Sequence, residues 1–89
     1  MKKSSLHKID LSTFFLSISS AAFFGLGIAP PEMNEKPKID LDLARHNIDL
    51  LELMDEKTKG NRTAEESKLL EQLLFETRMR YVEVERRLG

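Results

Sequence analysis

The stretch KTKGNRTAEE, Lys57 to Glu66, decides the fold. Lys57 and Lys59 are cations placed where the last turn of a helix favours them, and Gly60 suits the left-handed C′ position that ends such a helix. Three residues later, Thr63 and Glu66 fit the Ser/Thr-x-x-Glu capping box that opens a new one. Only Gly60-Asn61-Arg62 separates the two signals. A connection that short turns the second helix back along the first, so the chain carries an antiparallel helical hairpin.

Moving outward, the first helix of the hairpin opens at Asp40, which caps it, with Asp42 in its first turn. The expected hairpin covers residues 40–89, with helices at about 40–59 and 63–87. On the earlier helix, Leu41, Ala44, Ile48 and Leu51 adjoin Leu43, Asn47, Leu50 and Met54 in an apolar arc about half the circumference wide. On the later helix, Leu69, Leu70, Leu73, Leu74, Thr77, Tyr81, Val84 and Leu88 make the main stripe. Phe75, Met79 and Val82, spaced i, i+4, i+7, make a second stripe roughly opposite, and two stripes need two neighbours. Glu76–Arg80 and Glu83–Arg87 stand in the favourable i,i+4 order for ion pairs.

Upstream lies a contrasting segment. The 21 residues from Leu11 to Pro31 carry no charge, although the chain of 89 residues holds 14 basic and 15 acidic side chains. Residues 11–28 form an apolar helical segment capped by Asp10 or Ser12 and weakened at its end by Gly25 and Gly27. A polar tail, 1–10, precedes it, and a proline-bearing linker, 29–39, follows. Leu11, Phe14, Phe15, Ile18, Ala22 and Leu26 share one side of this helix, while Leu16, Phe23 and Phe24 point to the other. A helix apolar nearly all round is expected to be buried nearly all round, which one hairpin does not accomplish.

Three environments compete for it. Leu11 to Ala29 is 19 residues, long enough at 1.5 Å per residue to span about 28 Å of bilayer. Lys2, Lys3 and Lys8 suit an inside-facing N-terminus, but Ser12, Thr13, Ser17, Ser19, Ser20, Gly25 and Gly27 erode the gain from the nine Leu, Ile and Phe side chains. A secretory signal with Gly27-x-Ala29 as its cleavage site is opposed by Asp10 at its border and by Pro30 after the cut. The hydroxyls and small residues favour a third environment, a helix buried between subunits, where Ser17, Ser20, Ala21, Ala22 and Gly25 let backbones approach closely.

Composition narrows the function. A chain this short buries only about 60% of its unfolded surface, so a single core is marginal. The absence of cysteine excludes disulfides, thiolate nucleophiles and zinc fingers and fits a reducing compartment. Self-association is the remaining support. The net charge divides into +2 for residues 1–31, three lysines against one aspartate, and -3 for residues 32–89, too even for a dedicated polyanion binder.

Residues that imitate chemical sites have simpler explanations. Asp42, His46 and Asp49 share a face of the earlier hairpin helix at i, i+4, i+7, but two acids and one histidine read as a solvated polar face. Asp55, Gly60 and Glu66 fall at positions 1, 6 and 12 of an EF-hand loop, yet Lys57 and Lys59 stand at 3 and 5, where calcium needs oxygen ligands. Arg78, Arg80, Arg86 and Arg87 make a basic helix end interrupted by Glu83 and Glu85, which suits a helix C-terminus better than nucleic acid. There is no Gly-rich phosphate loop and no local nucleophile–histidine–acid pattern.

The runs FLSISSAAFFGLGIAP, Phe15 to Pro30, and IDLDLARHNIDLLELMDEKTKGNRTAEESKLLEQLLFETRMRYVEV, Ile39 to Val84, resemble the small bacterial domain-of-unknown-function family 1844. The Phe- and Ser-rich first helix closing in Gly-x-Ala-Pro, Ile48 to Leu51, and Lys57 to Asn61 before Thr63 carry that resemblance, which covers about residues 12–84. It implies an all-α bacterial protein of the cytoplasm and brings with it no activity, catalytic residue or ligand.

The expectation is therefore an all-α protein, an apolar N-terminal helix plus an antiparallel hairpin, assembled as a helical dimer or higher oligomer. Its expected role is a non-catalytic, self-associating interaction or scaffolding module of the cytoplasm, without cofactor, metal, catalytic residue or nucleic-acid partner. Phe14, Phe15, Ile18, Phe23 and Phe24 are the expected interface, with Leu51, Met54, Leu73 and Phe75 as the receiving surface. The alternative is an accessory subunit associated with the inner membrane, with residues 11–28 inserted in lipid or in a membrane complex.

Overall fold

Three helices and no strand make up the described residues, 10–30, 32–34 and 36–89, of the computed structural model. The expected tail falls almost wholly on residues 1–9, which lie outside that description together with Lys2, Lys3 and Lys8.

Helix α1 spans Leu11–Gly25 and opens on Asp10, whose carboxylate accepts a hydrogen bond from the Thr13 N–H at 2.9 Å. The cap is thus Asp10 and not Ser12. Helix α1 ends before the expected residue 28 because Gly27 takes φ +84° and reverses the chain. The Gly27 N–H donates to the Phe24 carbonyl at 3.0 Å and the Ile28 N–H to the Phe23 carbonyl at 2.9 Å, the two bonds of a Schellman motif. Phe23 and Ile28, the apolar pair that accompanies this motif, both pack into the core.

Helix α2, Leu41–Lys57, opens on Asp40, which accepts from the Leu43 N–H at 3.1 Å. It stops before the expected residue 59 because Thr58 closes it, its hydroxyl donating to the Met54 carbonyl at 2.6 Å. Gly60 does adopt a left-handed φ of +83°, but beyond the C′ position. It stands third in a tight turn that the Asn61 N–H closes on the Thr58 carbonyl at 2.9 Å, where a positive φ is also required. Helix α3, Ala64–Leu88, begins with both halves of the capping box: Thr63 Oγ1 accepts from the Glu66 N–H at 3.1 Å, and Glu66 Oε1 from the Thr63 N–H at 2.8 Å.

Helices α2 and α3 form the antiparallel hairpin, and α1 lies against both. Two core clusters fix the directions. Near one end, Phe15 and Ile18 of α1 meet Leu51 from late in α2 and Leu70, Leu73 and Leu74 from early in α3. Near the other, Leu26 just past α1 meets Ala44 from early in α2 and Val84 from late in α3. So α1 runs antiparallel to α2 and parallel to α3. The buried polar side chains satisfy themselves on their own helices: Ser19 donates to the Leu16 carbonyl at 3.0 Å, Asn47 to Leu43 at 2.9 Å and Thr77 to Leu73 at 2.8 Å.

The tightest contact joins the end of α1 to the start of α2. A Cβ on Gly25 would lie 2.7 Å from the Ala44 nitrogen and 2.9 Å from the Asp40 carbonyl oxygen. The Gly25 carbonyl also accepts from the Asp40 N–H at 2.7 Å. The close backbone approach expected of the small residues in this helix is made at Gly25 with the same chain, and, as expected, one hairpin does not surround α1. Phe15, Ile18 and Ala22 are buried by α2 and α3, while Phe14, Leu16 and Phe24 stay exposed, so the helix has one covered side.

Gly25→Ala is expected to lower the free energy of unfolding by about 1–3 kcal/mol, since backbone atoms must move to admit the methyl group. Urea denaturation followed by circular dichroism measures it, and an unchanged midpoint would show that the helices do not meet there. Thr63→Ala, which removes half of the capping box, is expected to cost about 1 kcal/mol in the same assay.

Candidate functional site

Helix α3 presents two opposite apolar faces, and the chain uses one. Leu70, Leu73, Leu74, Thr77 and Val84 are buried against α1 and α2. Phe75, Met79 and Val82, on the far side, are 63%, 52% and 47% exposed. At 100° per residue these three fall within a strip about 60° wide, directly opposite the buried face. Beside the strip runs an open groove of about 840 Å³, walled by Asp55, Lys59 and Arg62 from the end of α2 and the turn after it. Glu71 and Arg86 stand at the two ends of its floor.

Most of the charge around the groove is already paired. Arg62 folds back from the turn onto Asp55, Nη1 to Oδ1 2.9 Å, leaving its Nε buried without a hydrogen-bond partner. Arg78 donates from Nη2 at 2.8 Å and from Nε at 3.2 Å to the same Glu52 oxygen, tying α3 to α2. Farther along this seam, the Arg45 guanidinium lies 5.8 Å from the centre of the Tyr81 ring. Its contact with Tyr81 first, and the charge of Asp49 second, raise its pKa, so it is a permanent cation. Of the ion pairs expected on α3, neither forms: Arg80 pairs with Glu83 at 3.6 Å and Glu76 accepts from Gln72 at 3.2 Å. Among the described residues, Glu71 and Arg86 have no ion-pair partner within the chain.

The residues expected at an interface divide into three groups. Phe15, Ile18, Leu51 and Leu73 come together, but inside the core of a single chain, with Met54 packed against them. Phe23 packs on the second cluster. Phe14, Phe24 and Phe75 remain exposed. Phe14 and Phe24 point in directions about 80° apart around α1, with Thr13, Ser17 and Ser20 exposed among them, so they make no continuous strip. Met79 and Val82 join Phe75 in the strip and were not among the expected interface residues; their i, i+4, i+7 spacing is the signal that marks them.

Chemical alternatives find little geometry to work with. No group of three or more potential metal ligands occurs among the described residues, and Asp42, His46 and Asp49 lie exposed on α2. Asp55, the first position of the EF-hand-like run, is bonded to Arg62. Among the described residues no helix is long and apolar enough to cross a membrane. The 15 residues of α1 reach about 22 Å, against a hydrocarbon core of about 30 Å.

Comparison with known proteins adds one finding. A family model described as a domain of unknown function (DUF1844) matches residues 8–83. No curated protein and no solved structure matches the chain.

The two faces of α3 are expected to respond oppositely to substitution. Leu70→Ala, on the buried face, should cost about 2–5 kcal/mol of stability. Phe75→Ser should change it by no more than about 0.5 kcal/mol in dilute solution. Equal losses in chemical denaturation would place Phe75 in the core.

Proposed function

Since this chain belongs to the family of domain of unknown function 1844, whose description names no activity, we propose its role from its surfaces: a non-catalytic helical interaction or scaffolding module that works by self-association in the cytoplasm. The observation that carries this reading is the strip of Phe75, Met79 and Val82, left outside a core that is already complete. Contiguous exposed apolar surface on a small soluble fold marks a site of protein interaction. A chain of 89 residues also gains from association the burial that its own short helices do not supply.

The remaining parts of the proposal have separate support. The groove is open, and Asp55, Arg62 and Arg78 in its lining are held in ion pairs, Asp55 with Arg62 and Arg78 with Glu52 beside it, which favours docking over catalysis. A cytoplasmic setting is supported by a sequence without cysteine. The basic side chains of α3 are interleaved with Glu76, Glu83 and Glu85, which argues against a nucleic-acid partner.

Sedimentation equilibrium of the full-length protein tests the reading. The expected result is a concentration-dependent mass rising toward twice the 10.3 kDa of one chain. A mass that stays at 10.3 kDa up to about 1 mM overturns self-association. Fractionation of cells supplies the second arm: recovery in the soluble fraction is expected, whereas a membrane pellet that resists carbonate extraction overturns the cytoplasmic assignment.

A further inference from the structure

The geometry points to a two-fold interface in which the outer face of α3 pairs antiparallel with the same face of a second copy, Glu71 of each chain meeting Arg86 of the other. This rests on the self-association reading above and adds its surface, register and symmetry.

The face is palindromic in character and antisymmetric in charge. From its middle, between Arg78 and Met79, Phe75 stands three residues before Arg78 and Val82 three residues after Met79. Glu71 stands seven residues before Arg78, and Arg86 seven after Met79. A two-fold axis through the middle exchanges the members of each pair. It lays Phe75 on Val82, brings the two Met79 side chains together, and puts an acid on a base at both ends. Parallel pairing would set Glu71 against Glu71 and Arg86 against Arg86, which is repulsive.

Three further features support this occupant. Glu71 and Arg86 have no ion-pair partner of their own among the described residues. Arg78, which would crowd the middle, is drawn aside by Glu52 at 2.8 Å. A partner must offer a base opposite Glu71, an acid opposite Arg86 and two apolar positions seven residues apart between them. A second α3, reversed, supplies all of these, and a contact in which both chains use one patch closes on itself as a dimer.

Charge exchange tests the register, using Glu71→Arg and Arg86→Glu in the full chain. Both sites are exposed, and circular dichroism establishes that each variant keeps its helices. Alone, each variant places like charges at both ends of its dimer, and its dissociation constant is expected to rise about tenfold or more. Mixed one to one, the variants restore both attractive pairs, so a heterodimer with affinity close to the natural one is expected, identified by native mass spectrometry. A mixture as weak as its components overturns the antiparallel register. A natural dimer indifferent to both substitutions overturns this interface while leaving self-association standing, whereas a monomeric natural protein overturns the reading beneath it.

Discussion

The contact between Gly25 and the first turn of α2 sets the rest of the structure. With no Cβ at Gly25, the end of α1 rests directly on the backbone of Asp40 and Ala44. The Asp40 N–H, which a helix start leaves without an intrahelical acceptor, finds one in the Gly25 carbonyl, which a helix end leaves without a donor. One hydrogen bond thus serves two helix ends. The approach it permits holds Phe15 and Ile18 over Leu51 and Leu70, and a bulkier side chain at residue 25 would lift α1 away from both.

With α1 seated, the inner face of α3 is fully occupied and its outer face is left over. Three helices packed pairwise around a shared core cover one side of each, and the outer strip of α3 is an apolar surplus that runs in a continuous line. The exposed phenylalanines of α1 are separated by hydroxyl side chains, so they tolerate water as isolated residues. The composition of the two outer faces, more than their total hydrophobicity, distinguishes a recognition surface from a solvated one.

Much of this was legible in the sequence where the signal is local. Asp10, Asp40 and the Thr63–Glu66 pair cap the helices that their positions announce, because a cap depends on only a few neighbouring residues. The hairpin followed from the short connection, and the second stripe of α3 from its spacing. What escaped was mostly tertiary. Gly25 and Gly27 look like two equivalent helix breakers, yet one admits a neighbouring helix and the other carries the positive φ of the Schellman turn. Which side of α1 the hairpin covers is tertiary in the same way. Periodicity shows how many sides of a helix are apolar, but it does not reveal that α2 and α3 together form a bed for one of them, so Phe15, Ile18, Leu51 and Leu73 appeared available to another chain.

The uncharged run that sets α1 apart also gives the molecule two seams with different physics. Along α2, α3 and the turn between them lie Glu52 with Arg78, Asp55 with Arg62, and Arg45 over Tyr81, contacts that ionic strength weakens. Between α1 and the hairpin lie Phe15, Ile18, Phe23 and Leu26, and no residue of α1 ionises. That seam is blind to salt screening and to the titration of its own helix, and it loosens instead on cooling, as apolar burial does near and below room temperature. Ionic strength therefore acts on the hairpin and passes α1 by, whereas cooling acts on the apolar core that all three helices share.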